Sequence, residues 1–135
     1  MKSDDPCQLI EPVTVNRSAL EVFSSDTPRV KGRWIVEPKA TGWDDYALSE
    51  WELTRAGMSD YHPHDEVTFV LEGELRIRVD ETTVVGRPGD TITVPAGSTG
   101  HYWAPTYARM LGIYGPNPDG AASEYLDYWE IDDQA

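Results

Sequence analysis

The chain has one cysteine, Cys7, in 135 residues. A single thiol excludes an internal disulfide framework and a cysteine-built zinc site. Cys7 reads as a bland surface or interface residue. No apolar run reaches the roughly 20 residues that a membrane-spanning helix needs. The opening MKSDDPCQLIEP has no apolar core of leader length. A Gly-Lys-Ser/Thr phosphate loop is missing, so a nucleotide site of that type is not expected. Basic residues are scarce, with 11 Lys and Arg against 24 Asp and Glu and a formal net charge of −13. Nucleic acids and anionic membranes both call for a basic footprint, so neither is expected as a partner. Arg76 and Arg78 alternate with apolar residues and read as the wet face of a strand, not as a stripe. These absences lead to the expectation of one soluble, cytoplasmic domain.

Aromatic and turn-forming residues are plentiful. There are five Trp, seven Tyr, eleven Gly and ten Pro. The Gly and Pro are spread along the chain, which punctuates many short strands. Residues 1–30 read as an N-terminal arm, in which SALEVFSSDTP forms either a helical turn or an edge strand. RWIVEP (33–38) and ALSEWELTRAG (47–57) read as strands. Trp51, Leu53 and Arg55 alternate with Glu50, Glu52 and Thr54, the period of two that a pleated strand requires. EVTFVLEGELRIRVD (66–80) predicts a strand pair, or one long strand kinked near Glu72 and Gly73. ETTVVG and TITVP are further strands, with turns at Pro88-Gly89-Asp90 and Pro95-Ala96-Gly97. HYWAPTYARMLGIYGP predicts two short strands split by Pro105. The tail 116–135 is a helix or an edge strand. At least eight short strands and little helical period predict an antiparallel sandwich or barrel with its core at about 33–115.

All three histidines fall in two clusters. SDYHPHDE (59–66) holds Asp60, His62, His64 and Glu66, all at even positions. An extended strand through them would project the four side chains to one face. His101 follows Gly100 in AGSTGHYW. A one-residue bulge after Gly97 would turn His101 inward, and Gly100 would make that easy. A first-row metal such as Fe, Mn, Ni or Zn favours a mixed imidazole and carboxylate shell. His62, His64, Glu66 and His101 are the candidate ligands, with Asp60 as the substitute for His64. Without a metal, a histidine beside a carboxylate exchanges protons near neutral pH. Glu66, His62, His64 and Tyr102 are the candidate catalytic groups. Tyr46, Tyr61, Tyr107 and Tyr114 are further candidate pocket phenols, and Trp51 and Trp103 candidate stacking walls.

SDYHPHDEVTFVLEGEL (59–75) and GRPGDTITVPAGSTGHYW (86–103) together resemble the two signature motifs of the cupin superfamily, a small jelly-roll β-barrel. The run from Asp65 to Pro118 is similar to the single-domain branch typified by the ethanolamine-utilisation cupins. Anchored on Glu66, the first motif expects histidines at 60 and 62, where Asp60 and His62 stand, and His64 is extra. In the second motif Pro95 and Gly97 match. Gly100 holds the expected histidine position, His101 comes one residue late, and Ala104 replaces the closing asparagine. The resemblance implies a small cupin enzyme acting on a small polar metabolite inside the barrel. Its chemistry would be metal-assisted or acid–base, of lyase, isomerase, dehydratase or oxygenase type. The alternative is a non-catalytic small-molecule-binding or accessory protein of a metabolic cluster. A homodimer is the expected assembly.

Overall fold

The computed structural model describes residues 13–132. Residues 1–12 of the expected arm and 133–135 of the tail lie outside the described residues. Among the described residues there are nine strands and no helix. They run β1 (Glu21–Val22), β2 (Val30–Val36), β3 (Ala47–His62), β4 (Glu66–Gly73), β5 (Leu75–Val79), β6 (Thr82–Gly86), β7 (Thr91–Val94), β8 (Ser98–Tyr114) and β9 (Glu124–Glu130). All pairings are antiparallel. This is the all-β jelly-roll barrel. No helix among the described residues is long and apolar enough to cross a membrane.

β3 and β8 are the two long strands, and they pair along their whole lengths. The N-terminal half of β3 and the C-terminal half of β8 form a sheet with β1, β2, β4 and β7. Their other halves form a facing sheet with β5, β6 and β9. The sheets exchange strands where the ladder shifts, between Thr54 and Ala56. Arg55 takes the left-handed conformation there, with φ 49°. Pro105 and Thr106 lie opposite. Pro105 therefore does not split β8 into two strands, as the sequence suggests. It sits at the bulge, where its missing N–H leaves no ladder position empty.

The bulge also reverses which residues face inward. Before it Trp51 (5% exposed) and Leu53 (0%) are buried, and after it Ala56 (0%) is buried. The core is built from these with Val70, Leu75, Ile77, Val94, Tyr102, Ala104, Ala108 and Met110. β4 and β5 are consecutive strands, broken at Gly73. They lie along successive parts of β8. The tail is the edge strand β9, and SALEVFSSDTP contains the short edge strand β1. Both Pro-containing turns form as expected. Asp90 N–H reaches Arg87 O at 2.8 Å and Ser98 N–H reaches Pro95 O at 3.2 Å. Gly89 and Gly97 sit at the third turn position with φ 95° and 84°, the type II geometry that glycine accepts without strain.

Candidate active site

β3 ends at His62, so no single strand carries the first histidine cluster. A turn over 63–65 leads into β4 at Glu66. The cluster still converges, because β3 enters it from the facing sheet and β4 leaves it in the other. His62 (7% exposed), His64 (5%) and Glu66 (2%) are all buried. With Asp60, Tyr102 and Tyr114 they line a cavity of about 640 Å³. Trp34, Trp43 and Trp51 supply aromatic wall, and Lys39 a cation. A second cavity of about 610 Å³ shares Phe23, Met58, Asp60 and Ser123 with the first.

The ionisable side chains form one connected chain of contacts. His62 Nε2 lies 3.1 Å from Asp60 Oδ1 and 3.4 Å from Glu66 Oε1. Tyr102 donates its hydroxyl to the same Glu66 oxygen. Thr68 Oγ1 donates to Glu66 Oε2 at 3.4 Å. His64 Nδ1 is 3.0 Å from the Asp65 carbonyl. A carbonyl only accepts, so Nδ1 carries the proton and the neutral ring has its lone pair on Nε2. Burial disfavours the charged form of His62. Hydrogen bonds and charges from Asp60 and Glu66 outweigh it and lift the pKa to about 10. His64 is pushed the other way, by burial first and then by the neighbouring His62 charge. The Asp60 carboxyl is raised by burial and by the Glu66 charge, against the pull of His62. Tyr102 is raised by burial and by the charges of Glu66 and Asp60. At neutral pH, then, His62 is an imidazolium and His64 a neutral imidazole. Their ring centroids are 5.0 Å apart.

His101 is not brought into this group. The β3–β8 ladder runs without a shift from His62 opposite Ser98 to Ala56 opposite Ala104. No bulge follows Gly97, so His101 faces away from its neighbour Tyr102, which lines the cavity. His101 Nδ1 instead meets Ser59 Oγ at 2.7 Å. Gly100 serves another purpose: a Cβ there would lie 2.7 Å from the Tyr102 ring. Its missing side chain makes room for the phenol. Tyr46 is 50% exposed. Tyr107 donates to Glu52 at 2.7 Å, outside the barrel. Neither Tyr61 nor Trp103 lines the large cavity, whereas Trp51 and Tyr114 do.

A metal would need the lone pairs of the cavity histidines and free carboxylate oxygens. Among the described residues no group of three or more His, Cys, Asp and Glu side chains is arranged to hold an ion. His62 Nε2 faces two carboxylates, and Asp60 Oδ1 is buried without a hydrogen-bond partner among the described residues.

Sequence reasoning missed Ser123. Its Oγ is 3.2 Å from His62 Nδ1 and 3.4 Å from His64 Nε2. Nothing local marks this serine, because it reaches the histidines only through the pairing of β9 with β3. Trp43 was also passed over, although its ring stands 5.5 Å from that of His64.

The Cupin_2 family, described as a cupin domain, matches residues 52–114. The match covers β3 beyond Trp51, β4 to β7 and all of β8, which together build the cavity. Over that stretch the chain is similar to the cupin superfamily. Within it the chain resembles the ethanolamine-utilisation branch. It is 34% identical over 74 residues to acetate kinase EutQ of Salmonella typhimurium, a stretch covering 55% of this chain and 28% of that protein. The chain spans less than half the length of the curated relatives it matches. The crystal structure of an ethanolamine utilization protein Q from the same organism superposes with a TM-score of 0.57 at 26% identity, over 64% of this chain and 69% of that one. A cupin-like protein from Thermotoga maritima superposes with a TM-score of 0.67 at 17% identity, over 83% and 86%. That likeness speaks to the fold alone.

Proposed function

We propose that this cupin is a small enzyme that moves protons on a small polar metabolite bound in the barrel. The observation that carries this reading is the histidine pair. Two imidazoles 5.0 Å apart have environments that drive their protonation in opposite directions. Separating the titrations of neighbouring groups in this way assigns an acid and a base. His62 is the acid, held charged by Asp60 and Glu66. His64 is the base, with its tautomer fixed by the Asp65 carbonyl. Tyr102 donates its one hydroxyl proton to Glu66 and so fixes that carboxylate beside His62. Lys39 at the wall suits a carboxylate end, and the Trp walls suit a carbon skeleton. Carbonyl and hydroxy carboxylates are the fitting substrate class, and isomerase, lyase or dehydratase chemistry follows from moving a proton beside a carbonyl.

The name acetate kinase belongs to relatives of which this chain spans less than half. The cavity has no Gly-Lys-Ser/Thr loop, and phosphoryl transfer is not carried over. The alternative is a non-catalytic binding protein. A panel of 2-keto and hydroxy acids, followed by NMR in deuterated water, separates the two. The enzyme reading expects thermal stabilisation by one class together with deuterium incorporation that His64→Gln abolishes. Stabilisation without exchange points to simple binding. A metal is the alternative occupant of the space between His62, Asp60 and Glu66. Elemental analysis of protein purified without chelator or nickel resin is expected to give well under one equivalent. One equivalent per chain, lost in His62→Ala, would replace the acid–base account. A homodimer belongs to the same proposal. The exposed Val22, Trp34 and Val36 on the β1–β2 edge support it, and sedimentation tests it.

A further inference from the structure

Ser123 stands in the loop between the cavity and β9, and it lines both cavities. The three residues before it are Gly120, Ala121 and Ala122, which leave its hydroxyl uncovered. The loop is built and not loose. Buried Asn117 donates from Nδ2 to Ala121 O at 2.9 Å, and Gly120 N–H reaches Asn117 O at 3.1 Å. The hydroxyl then has two imidazole partners. Its 3.4 Å contact to His64 Nε2 meets a nitrogen whose ring is oriented by the Asp65 carbonyl on the far side. Its 3.2 Å contact is to Nδ1 of His62, whose other nitrogen faces Asp60 and Glu66. A hydroxyl, a base within loose hydrogen-bond reach and a third group that orients the base make the arrangement of an activated nucleophile.

We propose that Ser123 is a nucleophile that accepts an acyl group from an activated acyl compound, such as an ester, thioester or acyl phosphate. Ser123 Oγ attacks the carbonyl carbon while its proton passes to His64 Nε2. The new C–Oγ bond forms as the bond to the leaving group breaks. The leaving group departs with that electron pair and takes the proton from His64. Water then attacks the acyl carbon, giving a proton to His64, and the C–Oγ bond breaks with its electron pair left on Oγ, which takes that proton back from His64 as the free acid leaves. The net reaction is hydrolysis, with no other reactant consumed. His62 N–H steadies negative charge on Oγ in both directions. This goes beyond proton transfer on a metabolite, because it gives the same cavity a covalent step.

The test uses the full chain and p-nitrophenyl acetate. Rapid mixing should release a burst of p-nitrophenolate approaching one equivalent. Mass spectrometry should find one acetyl group per chain, on the peptide holding Ser123. Ser123→Ala should remove the burst and the label, while Ser123→Cys should keep an acylated side chain at that position. His64→Gln should slow acylation by about a hundredfold. Labelling of a lysine or tyrosine, labelling that survives in Ser123→Ala, or the absence of any label would overturn the proposal. So would Ser123 labelling that His64→Gln leaves unchanged. Acylation requires no deuterium exchange on a keto acid. Failure of the proton-transfer reading therefore leaves this result standing, and the reverse also holds.

Discussion

Glu50 and Asp60 lie on the same strand, β3, on opposite faces of the barrel wall, and both are withdrawn from water. Glu50 faces outward and meets Arg33 at 2.7 Å and Arg109 at 2.6 Å. Burial works to raise its pKa, but the two guanidinium hydrogen bonds and charges win, and the carboxyl is lowered. Asp60 faces inward and has one cation, His62, which it shares with Glu66. Burial wins there and the carboxyl is raised. Being withdrawn from water is common to the two sites. The ratio of cations to carboxylates differs, and that ratio decides the sign. The outer site is a closed structural ion network. The inner one is short of positive charge, which keeps one imidazole charged and leaves a carboxyl ready to exchange a proton.

The largest effect should come from removing the shared cation. His62→Leu leaves two carboxylates facing each other without their shared cation and should destabilise by about 3–5 kcal/mol in urea unfolding at pH 8. In the wild type the folded-state pKa of His62 is raised above its ordinary 6.5 to about 10. Its contribution is therefore full below about pH 6.5 and is lost as pH rises through about 10. The wild-type decline between pH 7 and 10 should be absent in His62→Leu. An unchanged slope would show that His62 is not the charged member.

A smaller effect is expected on the outer face. Glu50→Gln removes the charge that Arg33 and Arg109 share, and should cost about 1.5–3 kcal/mol. Because the Glu50 carboxyl is lowered, its contribution is present above its ordinary pKa of 4.5 and fades as pH drops below that. The two variants should thus have opposite pH trends, and like trends would collapse the comparison. The smallest effect belongs to His101. His101→Ala removes one hydrogen bond to Ser59 and should cost about 1 kcal/mol. It should leave ligand-induced stabilisation unchanged, and loss of ligand binding would place His101 back at the site.

Much of the fold could be read from residue order. Alternation in β3, β4 and β5, with Gly and Pro at the turns, reports which positions the sheet can bury, because a pleated strand has a period of two. The PGD and PAG turns follow from backbone preferences that act over four residues. The candidate site was legible as a cluster, since Asp60, His62, His64 and Glu66 are near in sequence. The reason for their convergence was not. A strict period carried from Trp51 and Leu53 along β3 would put Asp60 and His62 outside with Glu50. The bulge at Arg55 reverses the phase, and Arg55 bears no local mark of it.

The sequence by itself determined an all-β chain with a concentrated set of titratable groups and a large excess of negative charge. Those are properties of composition and short-range pattern. Only the tertiary structure decided that Asp60 and His62 face inward, that His101 does not, and that Ser123 reaches both cavity histidines. The physical reason is that each depends on where two sheets exchange strands, an outcome of long-range pairing that no local preference encodes.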